Sequence, residues 1–184
     1  EKTNVVSMIQ EYQVSGFRVR EYEELGSTNT EAERVGWSEL EDKMVILTYR
    51  QTQGRGQVGN HWESEPGKNI SMTVVFKPRE LPAGQQFAVS MVIALGTYDF
   101  ISRYVGECSV KWPNDIYVGD RKISGILIEH SIMGRYVGGS LCGIGVNINQ
   151  EQFLSDAPNP VSLFQLLGRE LPLQEVLEEL LECI

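Results

Sequence analysis

Two cations stand where the backbone around them would hold them in place. Arg55 lies within Gly54-Arg55-Gly56-Gln57-Val58-Gly59, and Lys111 opens the run Lys111-Trp112-Pro113-Asn114-Asp115. Glycines let backbone N–H groups come close to a ligand, and a guanidinium among them can grip a carboxylate or phosphate with two hydrogen bonds. The loop therefore suits an anion. Its G-x-G-x-x-G spacing also matches a dinucleotide fingerprint, which needs the last glycine to open a helix and an acid about 20 residues on. Asn60-His61-Trp62-Glu63-Ser64-Glu65-Pro66-Gly67 is a poor helix start and Arg79 occupies the acid's place, so a dinucleotide fold is rejected. Lys111 falls at an expected strand end, with Asn114-Asp115 equally readable as a turn. A third run, Gly143-Ile144-Gly145-Val146-Asn147-Ile148-Asn149, puts glycines within a strand, where they mark either tight sheet packing or close approach of a ligand.

The elements that must position these residues follow from periodicity. Val5, Met8, Ile9 and Tyr12 recur at helical spacing and predict a helix over 4–13. Alternation at Phe17, Val19 and Glu21 predicts a strand, and Thr28-x-x-Glu31 predicts a capping box opening a helix. Strands are expected at 44–49 and 70–76, with a loop over 51–69 between them. The longest helix is expected from Pro82 to about Tyr104, burying Phe87, Ala88, Met91, Leu95, Tyr98 and Ile101 on one face. Beyond Ser109 the pattern turns to strands at 110–112, 116–118, 122–129 and 136–149, with Gly119-Asp120 as a two-residue hairpin turn. Two short helices close the chain, the second over 173–181. The expected class is α+β: a mixed, mostly antiparallel sheet with helices packed mainly on one face.

The chain has 184 residues, 41% hydrophobic and 22% charged, which fits one domain with a packed core. Its net charge of −9 argues against general nucleic-acid binding, which depends on clustered cations. Residues 151–184 carry −6 of that sum, so the first 150 residues are nearly neutral. No run approaches the ~18 apolar residues of a membrane span, and no signal peptide opens the sequence, so a cytoplasmic location is expected. Cys108, Cys142 and Cys183 are scattered and read as free thiols; His61 and His130 lack ligand spacing, so no protein-held metal is expected.

Taken together, Ser27-Thr28-Asn29, Gln51 through Gly56, Trp62, Lys111-Trp112-Pro113-Asn114-Asp115, Gly125-Ile126-Leu127, Gly145-Val146-Asn147 and the following Pro160-Val161-Ser162-Leu163 resemble the biotin-protein ligases in order and spacing over roughly residues 20–165. The resemblance implies the catalytic domain of a ligase that joins biotin to ATP as biotinyl-5′-AMP, with Mg²⁺, and passes biotin to a lysine of a biotin carboxyl carrier protein. It implies Lys111 and Arg55 as catalytic cations. Ser27, Thr28, Asn29, Gln51, Gly54, Arg55, Gly56, Gln57 and Lys111 would contact biotin, and Trp62, Asn114, Gly145 and Asn147 the nucleotide. The short stretch before Ser27 favours a monofunctional type without a DNA-binding domain, and the stop at Ile184 implies that the family's small C-terminal β-barrel-like domain is lacking. A homodimer is admitted as its assembly. Gln57, Val58 and Asn60 stand where many members carry further bases. The rival readings are a lipoate-protein ligase or octanoyltransferase, and a noncatalytic biotin- or adenylate-binding module.

Overall fold

The computed structural model describes residues 6–57 and 59–184. Among them, ten strands and four α-helices follow the order β1 (Met8–Val14), β2 (Phe17–Tyr22), α1 (Thr28–Val35), β3 (Met44–Thr48), β4 (Gly54–Arg55), β5 (His61–Trp62), β6 (Ile70–Phe76), α2 (Phe87–Ser102), β7 (Cys108–Lys111), β8 (Asp115–Val118), β9 (Arg121–Met133), β10 (Tyr136–Val146), α3 (Leu163–Leu167) and α4 (Leu173–Cys183). Eight strands form one sheet in the order β1-β2-β3-β6-β10-β9-β8-β7, and β4 and β5 make a separate small hairpin. Among these strands, only β2 and β3 pair in parallel. They are joined through α1, because a parallel pair needs a crossover connection.

Alternation along the strands splits the core by face. Val45, Leu47, Met72, Val74, Cys142 and Ile144 face α2, α3 and α4, whereas Met44, Ile46, Val75 and Leu141 face α1. The helices thus lie mainly on one face, and the mixed, mostly antiparallel sheet takes the expected form.

Three local expectations are corrected. The predicted helix over 4–13 is the strand β1 from Met8 on; residues 4 and 5 lie outside the described residues. Ser15 (φ 49°) and Gly16 (φ 81°) form a two-residue turn between the paired Val14 and Phe17. Both positive φ values match the twist of a hairpin, and that pairing overrides a helical period carried by largely exposed residues. The cap of α1 is Ser27, not Thr28: the Ser27 side chain accepts from the Thr30 N–H at 3.5 Å, while Glu31 is held by Arg34 at 2.7 Å. Finally, α2 begins at Phe87, after a 3-10 turn over Ala83–Gln85, and it turns only part of the expected face outward. Phe87, Met91 and Leu95 are exposed, and Val89, Ile93, Ala94, Gly96, Thr97, Phe100 and Ile101 are buried. Because α2 is apolar around most of its girth, periodicity offers more than one buried face. Gly96 decides between them, since a Cβ there would lie 2.6 Å from the Cys183 carbonyl oxygen on α4.

Candidate functional site

The parallel pair delivers two loops to one place. Beyond the ends of β2 and β3, Leu25 bridges Gln51; the Thr52 N–H donates to Leu25 O at 2.9 Å and the Gln53 N–H to Gly26 O at 2.7 Å. These bonds set the start of α1 beside the segment that leads into the β4–β5 hairpin. Between the hairpin and the sheet lies a cavity of about 150 Å³, lined by residues that include Ser27, Thr28, Asn29, Gln51, Arg55, Trp62 and Lys122.

At one end of the cavity Ser27, Thr28, Asn29 and Gln51 present polar, uncharged side chains. Gln51 Oε1 accepts from the Thr28 N–H at 3.0 Å, and Thr73 Oγ1 lies 2.8 Å from Thr28 Oγ1 and 2.5 Å from Asn29 Oδ1. Asn29 Nδ2 donates to Glu129 Oε2 at 2.8 Å and to Leu127 O at 3.3 Å. Every group here is fixed by another, so this end is rigid before any ligand arrives.

The floor is bare backbone. Gly125, Gly143 and Gly145 line the cavity from β9 and β10. A Cβ on Gly145 would lie 2.5 Å from the Trp62 indole nitrogen, and one on Gly125 would lie 2.9 Å from the Trp62 ring. The indole rests on those two glycines with its Nε1 buried and without a hydrogen-bond partner among the described residues. An unpaired buried donor costs about 1–3 kcal/mol, which an acceptor entering the cavity would recover.

The far end carries charge. Lys122 Nζ lies 2.9 Å from Asp115 Oδ1 and 5.7 Å from the centroid of a Trp62 ring, and both Lys122 and Asp115 line the cavity. Arg55 also lines it, but its guanidinium turns to carboxylates, donating to Glu129 Oε1 at 2.7 Å with Glu33 at 3.5 Å. The Glu129 hydrogen bond raises its already high pKa. Arg55 therefore clamps the hairpin to β9 and α1.

Of the residues singled out from sequence, Ser27, Thr28, Asn29, Gln51, Arg55, Gly56, Gln57, Trp62 and Gly145 line this cavity. Gly54, Lys111, Asn114 and Asn147 do not. Gly54 lies behind the wall, where a Cβ would sit 2.8 Å from Gln51 Nε2. Lys111 is exposed on the edge strand β7, with Nζ 4.8 Å from the centroid of the Tyr117 ring. Asn114 is buried and structural: its amide donates to Ile126 O, while its own carbonyl accepts from the Ile126 N–H at 3.1 Å. Asn147 donates to Val161 O at 3.0 Å and leaves Oδ1 buried without a partner among the described residues. Lys122 and Asp115 were passed over as site residues. The available signal is register: Lys122 opposes Tyr117, two residues along β8 from Asp115, which puts the Asp115 and Lys122 side chains on one face as diagonal neighbours.

Glu63, next to Trp62, ties the hairpin to the segment after β10: its carboxylate accepts from the Leu154 and Ser155 N–H groups, each at 2.8 Å. Burial pushes Glu63 up, yet these backbone donors together with the Ser155 and Gln150 side chains outweigh it and hold the carboxyl below its ordinary 4.5. A depressed folded value means stabilisation that is present above pH 4.5 and lost as pH falls through the lower folded value. Glu63→Gln should cost about 1 kcal/mol at pH 7, a small figure because the side chain is only half-buried and water screens it. Urea midpoints of the two proteins should converge in acid; a gap independent of pH would contradict this account.

Comparison with known proteins gives the family. The model of the biotin/lipoate A/B protein ligase family matches residues 22–147, which span the whole cavity and most of the sheet. The chain belongs to this family. Among curated ligases of the family, the bifunctional ligase/repressor BirA of Bacillus subtilis is 27% identical over 93% of this chain and 54% of its own length. The biotin ligase of acetyl-CoA carboxylase from Paracoccus denitrificans is 36% identical over 66% of this chain and 51% of its own length. This chain thus spans about half the length of the curated ligases it matches. Among solved structures, the biotin protein ligase of Aquifex aeolicus in complex with biotin and ATP superposes with a TM-score of 0.74 at 26% identity, over 90% of this chain and 67% of that one.

Proposed function

We propose that this domain activates biotin with ATP and transfers it to a lysine of a biotin carboxyl carrier protein in the cytoplasm. The observation that carries the reading is the polarity of the cavity, with neutral hydrogen-bonding groups at one end, Lys122 at the other and a glycine floor between. Ser27, Thr28, Asn29 and Gln51 suit a neutral cyclic urea, which offers N–H donors and a carbonyl acceptor. The biotin carboxylate would then lie toward Lys122.

In the first step a carboxylate oxygen attacks the α-phosphorus of ATP, the bond to the β-phosphate oxygen breaks, and pyrophosphate leaves. Two unit negative charges about 4 Å apart repel by roughly 4 kcal/mol at an effective dielectric of 20. A fixed ammonium offsets that repulsion and stabilises charge growing on the phosphate oxygens. Lys122 is placed for this role, and Arg55 positions the hairpin that covers it. In the second step a carrier lysine amine attacks the acyl carbon, AMP leaves, and the amine proton passes to water. Trp62, which lines the cavity, keeps its buried Nε1 unpaired among the described residues, which fits an acceptor on an adenylate. No group of three His, Cys, Asp or Glu side chains suited to a metal occurs among the described residues, and Asp115 is the one carboxylate residue lining the cavity. Mg²⁺ would therefore enter with ATP, held mainly by its phosphates.

A lipoyl head group lacks the N–H donors and carbonyl acceptor of a cyclic urea, so it would forgo the hydrogen bonds that Thr28, Asn29 and Gln51 offer. Gln57 lines the cavity without charge. Gln57→Arg should slow escape of the adenylate by about tenfold, the worth of one charge-assisted hydrogen bond; equal release rates in single turnover would remove that role. The proposal as a whole is tested by mass spectrometry of an apo carrier domain incubated with the protein, ATP, Mg²⁺ and biotin. One biotinyl group on one lysine is expected. An unmodified carrier, or a lipoylated one when lipoate replaces biotin, would overturn it.

A further inference from the structure

We infer that Glu129, which does not itself line the cavity, is a positioning residue that decides which atom Asn29 presents to a ligand. The inference rests on the functional reading above and extends it to the selectivity of the head-group end.

Glu129 lies on β9 opposite Leu141 of β10, on the face that packs against α1. Its two oxygens serve two walls of the site at once. Oε2 accepts from Asn29 Nδ2 at 2.8 Å, and Oε1 accepts from Arg55 Nη2 at 2.7 Å. The Asn29 amide has one further donor contact, to Leu127 O, and its Oδ1 meets Thr73. An ionised carboxylate only accepts hydrogen bonds, so it fixes the Asn29 amide with its NH₂ toward β9 and its oxygen away from it. That oxygen lies against the bare Cα of Gly143, in the cavity floor, where a Cβ would collide with it. Position 29 therefore offers the cavity an acceptor, and the ligand class it selects carries an N–H at its head group, as a cyclic urea does. The same carboxylate also accepts from Arg55, whose contacts to Glu33 and to Thr30 Oγ1, each at 3.5 Å, hold the covering hairpin independently of Glu129.

Glutamine at 129 would place a donor NH₂ against either Asn29 Nδ2 or Arg55, and the Asn29 amide would be free to turn its own NH₂ into the cavity. Biotin affinity by calorimetry and biotin-dependent pyrophosphate release should be measured for the wild type, Glu129→Gln, Asn29→Ala and the double variant. Glu129→Gln is expected to raise the biotin Kd and KM by about 10–100-fold while kcat at saturating biotin and the KM for ATP stay within about threefold. Asn29→Ala should raise the Kd comparably, and the double variant should be little worse than Asn29→Ala alone. A Glu129→Gln protein that binds biotin as tightly as the wild type, or losses that add fully in the double variant, would overturn the inference. So would a loss in kcat without a change in KM. If Glu129→Gln does not fold, Asn29→Ala binding biotin like the wild type still overturns it. A wild type that binds no biotin would instead condemn the functional reading on which it rests.

Discussion

Lys122→Ala is expected to lower biotin-dependent pyrophosphate release by about 10²–10³-fold, the cost of losing one fixed donor at a developing oxyanion. Its effect on stability should be below about 1 kcal/mol, because the partner it loses, Asp115, is itself part-exposed and such ion pairs contribute little. The same substitution at Lys111 should leave the rate within about twofold of wild type, since that ammonium lies over the Tyr117 ring on an exposed edge strand. The pair of variants therefore separates Lys122 from Lys111, the lysine to which the resemblance gave the catalytic role. A collapse of activity in Lys111→Ala with normal rates in Lys122→Ala would reverse the assignment.

Gly143→Ala is the second large effect. A Cβ at 143 would drive into the Asn29 amide, with Asn29 Cγ at 3.0 Å and the Leu127 carbonyl oxygen at 3.1 Å. The Leu127 oxygen belongs to the paired backbone of β9 and cannot move far without breaking the ladder, so Asn29 must yield. Its bonds to Glu129 and Thr73 are then strained or lost. We expect biotin affinity to fall by about 100-fold and the unfolding free energy by about 1–3 kcal/mol, the range for overpacking a well-packed site. Calorimetry with thermal unfolding checks both. Normal biotin affinity in Gly143→Ala would show that the ligand does not use this end of the cavity.

Much of the site was legible in the sequence because its residues sit on glycine-rich or capped segments whose local chemistry is unusual. Ser27-Thr28-Asn29, Gln51, Arg55 and Trp62 converge on one cavity. What could not be read was orientation. Arg55 has the composition of an anion clamp, but Glu33 and Glu129, distant in sequence, claim its guanidinium. Lys111 and Lys122 stand on either side of one hairpin system, and which of them faces the cavity depends on strand register and on β7 being the sheet's edge. The sheet and α4 followed from clear periods. The face of α2 and the nature of β1 did not: one is apolar nearly all round, and the other is an exposed strand defined by its partner. Asn114 and Asn147 show a related limit, since a buried asparagine that braces backbone has the same sequence signature as one that touches a ligand.

The central claim is that the neutral end of the cavity reads a cyclic urea while Lys122 presides over adenylation at the other. It is tested most directly by pyrophosphate release from ATP and Mg²⁺ with biotin, with lipoate and with neither. Release that requires biotin, is absent with lipoate and is lost in Lys122→Ala is the expected result. Release driven by lipoate, or biotin binding with no pyrophosphate formed, would contradict the account.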